Sequence, residues 1–189
     1  MSNTKNLSFT ELEMGLDHVR QSPRDEGVVK MIVRRPEDDE REILKVAELD
    51  PEYGLIGDNW KARGSKHSPD GSANLNAQIT LMNSRLIELI AQSEERWPLA
   101  GDQFYIDMAL GDENLPPGAR LKIGTAVIEV SAEPHTACKK FAMRYGTDAT
   151  KLVNSEEGIR LHLRGINARV VEAGTVRVGD LARKVNSNG

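Results

Sequence analysis

The spacing of hydrophobic residues changes at about residue 27, from a helical pattern to a strand pattern. Before this point, apolar residues recur at helical spacing behind a capping-box sequence and predict an N-terminal helix: Ser8, Glu11, Leu12, Leu16 and Val19. From Val28 to Val33 the chain is mostly apolar and β-branched, which is typical of a strand. The acidic stretch 37–40 predicts a solvated hairpin turn, and 43–49 predicts its partner strand.

The middle of the chain contains both its least regular stretch and its clearest helical pattern. Residues 53–75 are rich in glycine and polar side chains and predict a long loop; such a loop is typically a binding loop, a lid or a disordered segment, and the sequence leaves these three open. A short strand is expected from Ile79. From residue 83 or 84 to Trp97 the apolar positions share one face, so we expect one longer helix that Pro98 ends.

The C-terminal half has the pattern of several short strands separated by turns. The predicted strands are 104–110, two strands within 121–130 on either side of Gly124-Thr125, 161–163, 166–172 and, last, 176–178, with a short helix at 148–154. Many short strands and few helices favour a mainly β fold, a barrel with helices attached. We therefore expect a helical extension over 1–25, a single barrel domain over 26–182 and a frayed tail over 183–189.

Composition and charge narrow the function. The chain has 189 residues, enough for one substantial domain. A formal net charge of −4 argues against a nucleic-acid binder, because such proteins need a basic face. No apolar run approaches the roughly 20 residues of a membrane helix. The first residues lack the layout of a signal peptide, and a single cysteine cannot form an internal disulfide, so we expect a cytoplasmic protein.

The single cysteine, Cys138, follows a predicted strand and precedes a predicted helix. Pro134 ends the strand, Thr136 is the candidate N-cap and Gly146 is the candidate stop, so Cys138 is expected in the first helical turn. The N–H groups of a helix start and the charge of Lys139 favour a thiolate over a thiol. A lone cysteine is also commonly a small buried hydrophobe that only packs. These residues leave both interpretations open.

Other familiar chemistries lack their motifs. The sequence contains no GxxxxGK[ST] phosphate loop, no GxGxxG and no GxSxG nucleophile elbow. His135 and Cys138 are three residues apart, and His67 and His162 complete the set of plausible metal ligands. Structural zinc sites usually combine two such closely spaced pairs, so we do not expect tightly bound zinc.

Several segments resemble the MOSC domain, the C-terminal domain of molybdenum cofactor sulfurases and its stand-alone relatives. The most specific are the glycine turn and strand at 118–130, the sequence Cys138-Lys-Lys, and the terminal segment 164–180. Asp112-Glu-Asn114-Leu115 resembles the family's acidic-Asn-Leu segment, and Gly57-Asp58 resembles its earlier Gly-Asp. The resemblance extends over about residues 26 to 182.

The resemblance implies a MOSC-type β-barrel with a cysteine held over a pocket. In the family this cysteine is proposed to carry sulfur as a persulfide or to ligate molybdenum in the pterin cofactor (molybdopterin), and the matching residue is Cys138. The matching positions imply that the cofactor-binding residues are Arg164, Arg169, Lys139, Asn114, Asp58 and His67. Arginine suits a pterin phosphate, although Arg164 and Arg169 could equally be exposed charges on a late strand.

Two departures from the family pattern matter for function. Many relatives carry His-Gly-Gly after the early Gly-Asp, whereas this chain has His67-Ser-Pro-Asp-Gly71 and extra residues before the next strand. The cysteine desulfurase-like domain of the full sulfurases, with its pyridoxal phosphate lysine, has no counterpart in this sequence. The chain therefore requires a separate sulfur donor if it carries sulfur.

Two hypotheses of different classes follow. In the first, the protein binds molybdenum cofactor or carries sulfur through Cys138. Some relatives use the bound cofactor to reduce N-hydroxylated compounds, which would require an electron-donating partner protein. In the second, the protein is a non-catalytic binding module on the same barrel, with a buried and inert cysteine.

Overall fold

Short strands dominate the structure. The computed structural model describes residues 5–185 of the chain. The strands are β1 (Glu26–Arg34), β2 (Glu42–Leu44), β3 (Val46–Asp50), β4 (Gly54–Leu55), β5 (Ile79–Asn83), β6 (Phe104–Asp107), β7 (Arg120–Ile123), β8 (Ala126–Val130), β9 (Ile166–Glu172), β10 (Gly174–Arg177) and β11 (Leu181–Val185). The α-helices are α1 (Phe9–Arg20), α2 (Trp60–Arg63), α3 (Ser84–Ala91), α4 (Lys139–Tyr145), α5 (Thr147–Val153) and α6 (Glu156–Arg160), and 3-10 helices span Leu75–Ala77 and Glu94–Ala100.

Seven of these strands form a closed barrel in the order β11-β7-β8-β9-β5-β6-β1. The barrel closes where β1 pairs antiparallel with β11, from Glu26 opposite Arg183 to Val28 opposite Leu181. Further along β1, the short strand β2 pairs with the same edge, and β10, β3 and β4 form a separate three-stranded sheet. β5 and β6 are parallel, whereas the other neighbours in the barrel are antiparallel. The prediction of a mainly β barrel with attached helices is confirmed.

Two apolar cores lie on the two faces of the barrel wall. Val29 and Ile32 of β1 are fully buried inside the barrel, whereas Met31 and Val33 belong to a second core between the wall and the helices. The second core unites residues from α1, α3, α4 and α5, including Leu12, Leu16, Val19, Leu86, Ile90, Phe141, Tyr145 and Leu152. The predicted capping box of α1 is present, and this helix packs into the second core.

The predicted strand at 161–163 is wrong. These residues form turns that follow α6, and His162 adopts a left-handed backbone with φ of 48°. The N–H of Leu163 donates to the carbonyl oxygen of Gly158, so the turn is built from helix-terminal hydrogen bonds. Leu163 is buried in the second core and Leu161 packs against it, which explains an apolar alternation that resembles a strand.

The predicted long helix ends early. α3 spans only Ser84–Ala91, because Gln92 takes a left-handed conformation with φ of 60°. Trp97 and Pro98 lie instead in the following 3-10 helix, and Trp97 reaches the same core as α3. This shared core explains why the apolar periodicity continues across the break. Within residues 5–185, no helix combines the length and the apolar character needed to cross a bilayer.

Three predicted boundaries also change. The stretch 43–49 divides into β2 and β3, which belong to different sheets. The predicted loop 53–75 contains the short elements β4 and α2. The segment 176–178 is not the last strand, because β11 follows it and continues to Val185; the rest of the predicted tail, 186–189, lies outside the described residues.

Asn83 links α3 to the barrel, so a substitution at this residue tests how much the link contributes to stability. Its side-chain amide donates to the Ser22 hydroxyl (2.8 Å) and the Met108 carbonyl (2.7 Å), and its side-chain oxygen accepts from the N–H groups of Arg85 and Leu86. The Asn83→Ala variant loses a helix cap and leaves a buried carbonyl without a partner. We expect its free energy of unfolding to fall by roughly 3 kcal/mol, measured by urea denaturation.

The matched control for this variant is Asn74→Ala. The Asn74 side-chain oxygen accepts one hydrogen bond, from the N–H of Asn76, so this variant should lose about 1 kcal/mol or less. Equal losses in the two variants would contradict a special role for Asn83.

Candidate functional site

The segment 131–138 carries the chain from the barrel to α4 without secondary structure of its own. Asn167 of β9 holds it, because its buried side-chain amide donates to the carbonyl oxygens of Glu133 (3.1 Å) and Pro134 (3.2 Å). The N–H of Ser131 donates to the carbonyl oxygen of Asn167 (3.0 Å). One barrel residue therefore anchors the approach to Cys138.

Cys138 is the N-cap residue of α4, and it is exposed. Its backbone is extended, and its side chain makes no capping hydrogen bond. The prediction of Thr136 as the N-cap is wrong by two residues, because the chain stays extended as far as Cys138. The thiol therefore precedes the first turn. The predicted stop at Gly146 is confirmed, with φ of 92°. The interpretation of Cys138 as a buried packing residue is contradicted by its exposure.

Cys138 lines a polar pocket of about 210 Å³, called here the Cys138 pocket. Its walls come from α4, the turn after β1, both ends of α2 and the end of the second 3-10 helix. The charged residues that line it are Arg35, Arg41, Arg63, Lys140 and Arg144, together with Glu37, Asp38 and Asp39. Cationic side chains outnumber carboxylates in this lining, so the pocket suits an anionic ligand.

Arg35 is fixed in the pocket wall by Asp58. The Asp58 carboxylate is completely buried and accepts from Nε and Nη2 of Arg35, both at 2.9 Å, and from the backbone N–H of Arg35 at 3.0 Å. Gly57 precedes it with φ of 82°, and a side chain there would collide with Arg34. The Gly57-Asp58 sequence thus contributes to the pocket indirectly, by orienting Arg35.

Arg41 and Arg63 have no carboxylate partner within ion-pair distance among residues 5–185. The Arg41 side chain donates to the carbonyl oxygen of Pro98 (3.2 Å). Burial and the charges of Arg144 and Arg35 lower the pKa of Arg41. Burial and the charge of Arg35 likewise lower the pKa of Arg63. A bound anion would relieve this repulsion and pair with two guanidinium groups.

Asn59 adds an unsatisfied acceptor to the same wall. Its side-chain oxygen is buried and has no hydrogen-bond partner in the part of the chain that the structure describes. A buried acceptor without a partner destabilises the protein, so a ligand that brings an N–H or O–H group there would gain a hydrogen bond. The pocket therefore combines a thiol, two guanidinium groups without a carboxylate partner and one acceptor without a hydrogen bond.

Arg164 does not line the pocket but supports it. Its guanidinium is buried, donates to the Asp102 carboxylate (2.7 Å) and to the carbonyl oxygen of Ala100 (3.0 Å), and lies 5.0 Å from the centre of the Phe141 ring. Ala100 and Phe141 are both lining residues. The interpretation of Arg164 as an exposed charge is therefore wrong.

The other predicted cofactor-binding residues lie outside the lining of the Cys138 pocket. Arg169 is on β9 and pairs with Glu129 (2.6 Å). Asn114 is buried and donates to the carbonyl oxygens of Arg24 and Ala109, so it positions the loop after β6. Lys139 and His67 are exposed, the latter in the loop that precedes β5. Lys139 directly follows Cys138 but does not line the pocket, and the structure does not bring Arg169, Asn114 or His67 into the lining.

Sequence reasoning missed Arg35, Arg41 and Arg63. A local signal existed for two of them, since Arg35 and Arg41 flank the acidic stretch 37–40. Nothing in the local sequence places this turn beside a cysteine about a hundred residues later. Within residues 5–185, no group of three or more His, Cys, Asp or Glu side chains is arranged to hold a metal ion.

Comparison with known proteins identifies the family and the fold. The family model described as the MOSC domain matches residues 69–183, more than half of the chain. The crystal structure of the YuaD protein from Bacillus subtilis is similar with a TM-score of 0.62 at 15% identity, over 83% of this chain and 94% of that one. YiiM from Escherichia coli gives a TM-score of 0.53 at 16% identity, over 84% of this chain and 70% of that one. No curated protein matches the sequence.

His135, three residues before Cys138, is predicted to make the free energy of unfolding depend on pH. Its Nε2 lies 3.6 Å from the Asp102 carboxylate, and burial, aided by the charge of Arg164, lowers its pKa from 6.5 to about 4. Between these two pH values the unfolded chain binds more protons than the folded one, so acidification favours unfolding. The free energy of unfolding should fall by roughly 3 kcal/mol from this group as the pH drops from 6.5 to 4.

The His135→Phe variant should lose this part of the pH dependence, measured by urea denaturation at a series of pH values. The control is His67→Phe, on the exposed loop, which should follow the wild type. An unchanged slope in His135→Phe would show that other groups cause the acid sensitivity.

Proposed function

Because the chain belongs to the MOSC domain family, we propose that it binds molybdenum cofactor in the Cys138 pocket, with Cys138 as a ligand to the metal. The observation that carries this proposal is an exposed thiol in one pocket with two guanidinium groups that lack carboxylate partners.

The donor groups of the pocket match the chemical groups of a pterin cofactor. A thiolate is a soft ligand of the kind that transition metals accept, and Cys138 would be one ligand of a metal otherwise held by the cofactor's own sulfur atoms. Arg41 and Arg63 would pair with the phosphate. The free side-chain oxygen of Asn59 would accept a hydrogen bond from a pterin N–H. Arg35, fixed by Asp58, would maintain the wall against which these groups bind.

The size of the pocket limits what it encloses. Its volume of about 210 Å³ is below the roughly 300–1,000 Å³ of pockets that enclose a whole small-molecule ligand. The pocket would therefore hold part of the cofactor and leave the remainder exposed. An exposed cofactor edge is compatible with exchange of electrons or sulfur with a partner protein.

The chemistry follows from the bound group and the exposed thiol. When bound, the molybdenum centre supplies two-electron redox chemistry, which requires an electron-donating partner. Within this chain, the residues would bind and orient the cofactor: Cys138 would hold the metal end, and the guanidinium groups of Arg41 and Arg63 would hold the phosphate end. We propose N-hydroxylated compounds, which some relatives reduce, as the substrate class of this centre.

Sulfur transfer is a second candidate function. The exposure of Cys138 favours it, because a protein sulfur donor can reach the thiol directly. In this case Cys138 would carry a persulfide, and the cationic lining would stabilise its negative charge. The non-catalytic module remains the hypothesis to be excluded by experiment, now with an exposed cysteine.

The first test is metal and pterin analysis of protein purified from a host that makes molybdenum cofactor. Wild-type protein should contain nearly one molybdenum per chain, and Cys138→Ala should lose most of it because the soft ligand is gone. Molybdenum retained in Cys138→Ala would contradict the ligand role. Molybdenum absent from the wild type would overturn cofactor binding, and a mass shift of one sulfur on Cys138 would then favour the sulfur carrier.

The second test separates the phosphate end from the metal end. We expect Arg41→Gln combined with Arg63→Gln to reduce the pterin content at least tenfold, because each charge-assisted hydrogen bond contributes about 1.5–3 kcal/mol. The matched control, Arg169→Gln, removes an arginine outside the pocket and should retain wild-type pterin. An equal loss in the control would indicate a non-specific effect of charge.

A further inference from the structure

A carboxylate of the protein itself lies on the cationic face of the Cys138 pocket. Asp39, in the turn between β1 and β2, contacts the ammonium group of Lys140 at 2.7 Å and the guanidinium of Arg144 at 3.3 Å. Both cations belong to α4, the helix that Cys138 caps. This contact is thus a bridge between the acidic turn and the helix of the candidate site.

The turn presents Asp39 through an unusual backbone conformation. Asp39 has φ of 61°, in the left-handed region that aspartate and asparagine tolerate better than most residues. The N–H of Glu40 donates to the carbonyl oxygen of Glu37 across the turn (3.2 Å). The hydrogen bond from Lys140 lowers the pKa of Asp39, so its side chain is an anion at neutral pH.

We propose that Asp39 is an internal competitor for the anion that binds at Lys140 and Arg144. This inference rests on the anion-binding role of the pocket in the proposed function. A ligand that binds Lys140 and Arg144 must first displace the Asp39 carboxylate. The acidic turn, which the sequence indicates only as a solvated hairpin, then lowers the affinity of the pocket for anions.

The strength of the competition follows from the charges exchanged. A monocarboxylate that displaces Asp39 replaces one carboxylate by another, so it gains little. A phosphate monoester carries close to two negative charges and three acceptor oxygens. It can replace Asp39 and also pair with the guanidinium groups of Arg41 and Arg63, which have no carboxylate partner. Both ligands break the same two ion pairs of Asp39, so the cost of displacement is the same, and phosphate binds more tightly through its own additional contacts.

The test compares Asp39→Asn with Asp38→Asn, using methyl phosphate and acetate as probes. Asparagine keeps the left-handed backbone at position 39 and removes only the charge. Asp38 lines the same pocket and makes no ion pair with the described residues. Its variant therefore controls for the general electrostatic effect of removing one negative charge from the pocket. Binding is measured calorimetrically on protein free of cofactor, and independently by protection of Cys138 from alkylation by iodoacetamide.

In Asp39→Asn, the affinity for methyl phosphate should rise roughly three- to tenfold, as expected when two exposed ion pairs no longer compete. The affinity for acetate should rise by a similar or smaller factor, because the same ion pairs are removed and acetate carries one negative charge. Asp38→Asn should change both affinities less.

Weaker phosphate binding by Asp39→Asn would overturn the proposal, because it would mean that Asp39 orients the cations for the ligand. Equal effects of Asp39→Asn and Asp38→Asn would also overturn it, as would the absence of saturable phosphate binding by Asp39→Asn. The outcome is separable from the proposed function, because the probes bind in the absence of molybdenum. If Asp39→Asn binds phosphate more tightly but the wild-type protein never contains molybdenum, the role of Asp39 as a competitor is supported. Binding of molybdenum cofactor is then rejected.

Discussion

The buried ion pair between Arg35 and Asp58 is the interaction on which the candidate site depends. Through it, the end of β1 is joined to the loop after β4, and Arg35 also donates to the carbonyl oxygen of Gly101. Three segments that are distant in sequence thereby meet beside the thiol. Removal of one partner of such a buried pair generally destabilises a protein by about 3–5 kcal/mol, because the other charge is left without compensation. The pocket wall and the fold are therefore stabilised together.

The residues that carry the family resemblance frame the pocket more than they line it. Asp58 orients Arg35, and Arg164 holds Asp102 and the carbonyl oxygen of Ala100 behind the wall. Asn114 positions a loop elsewhere. Among the residues selected through the resemblance, Cys138 lines the pocket, whereas Asp58, Arg164 and Asn114 do not. In this chain, these residues thus supply the frame, while the turn after β1 supplies charged side chains to the lining.

Local signals in the sequence predicted local structure well. The capping box of α1, the two strands around Gly124-Thr125 and the stop at Gly146 all depend on neighbouring residues, and the structure confirms them. The arginines of the pocket could not be found in this way, because their proximity to Cys138 results from the closing of the barrel. The same reason applies to Arg164, whose burial depends on a carboxylate 62 residues away. Periodicity also failed where two different elements face one core, as in α3 and the helical turn after it.

The pairing of β1 with β11 has a consequence for how the protein is made. It joins residues at opposite ends of the described chain, Glu26 with Arg183, and contacts of such large sequence separation form slowly. During synthesis from the N-terminus, β1 is complete long before β11 leaves the ribosome, so the part of its edge from Glu26 to Val28 stays unpaired until β11 is available. An unpaired strand edge is prone to association with other chains. Yield in the cell should accordingly depend on the last strand, although it lies far from the chemistry.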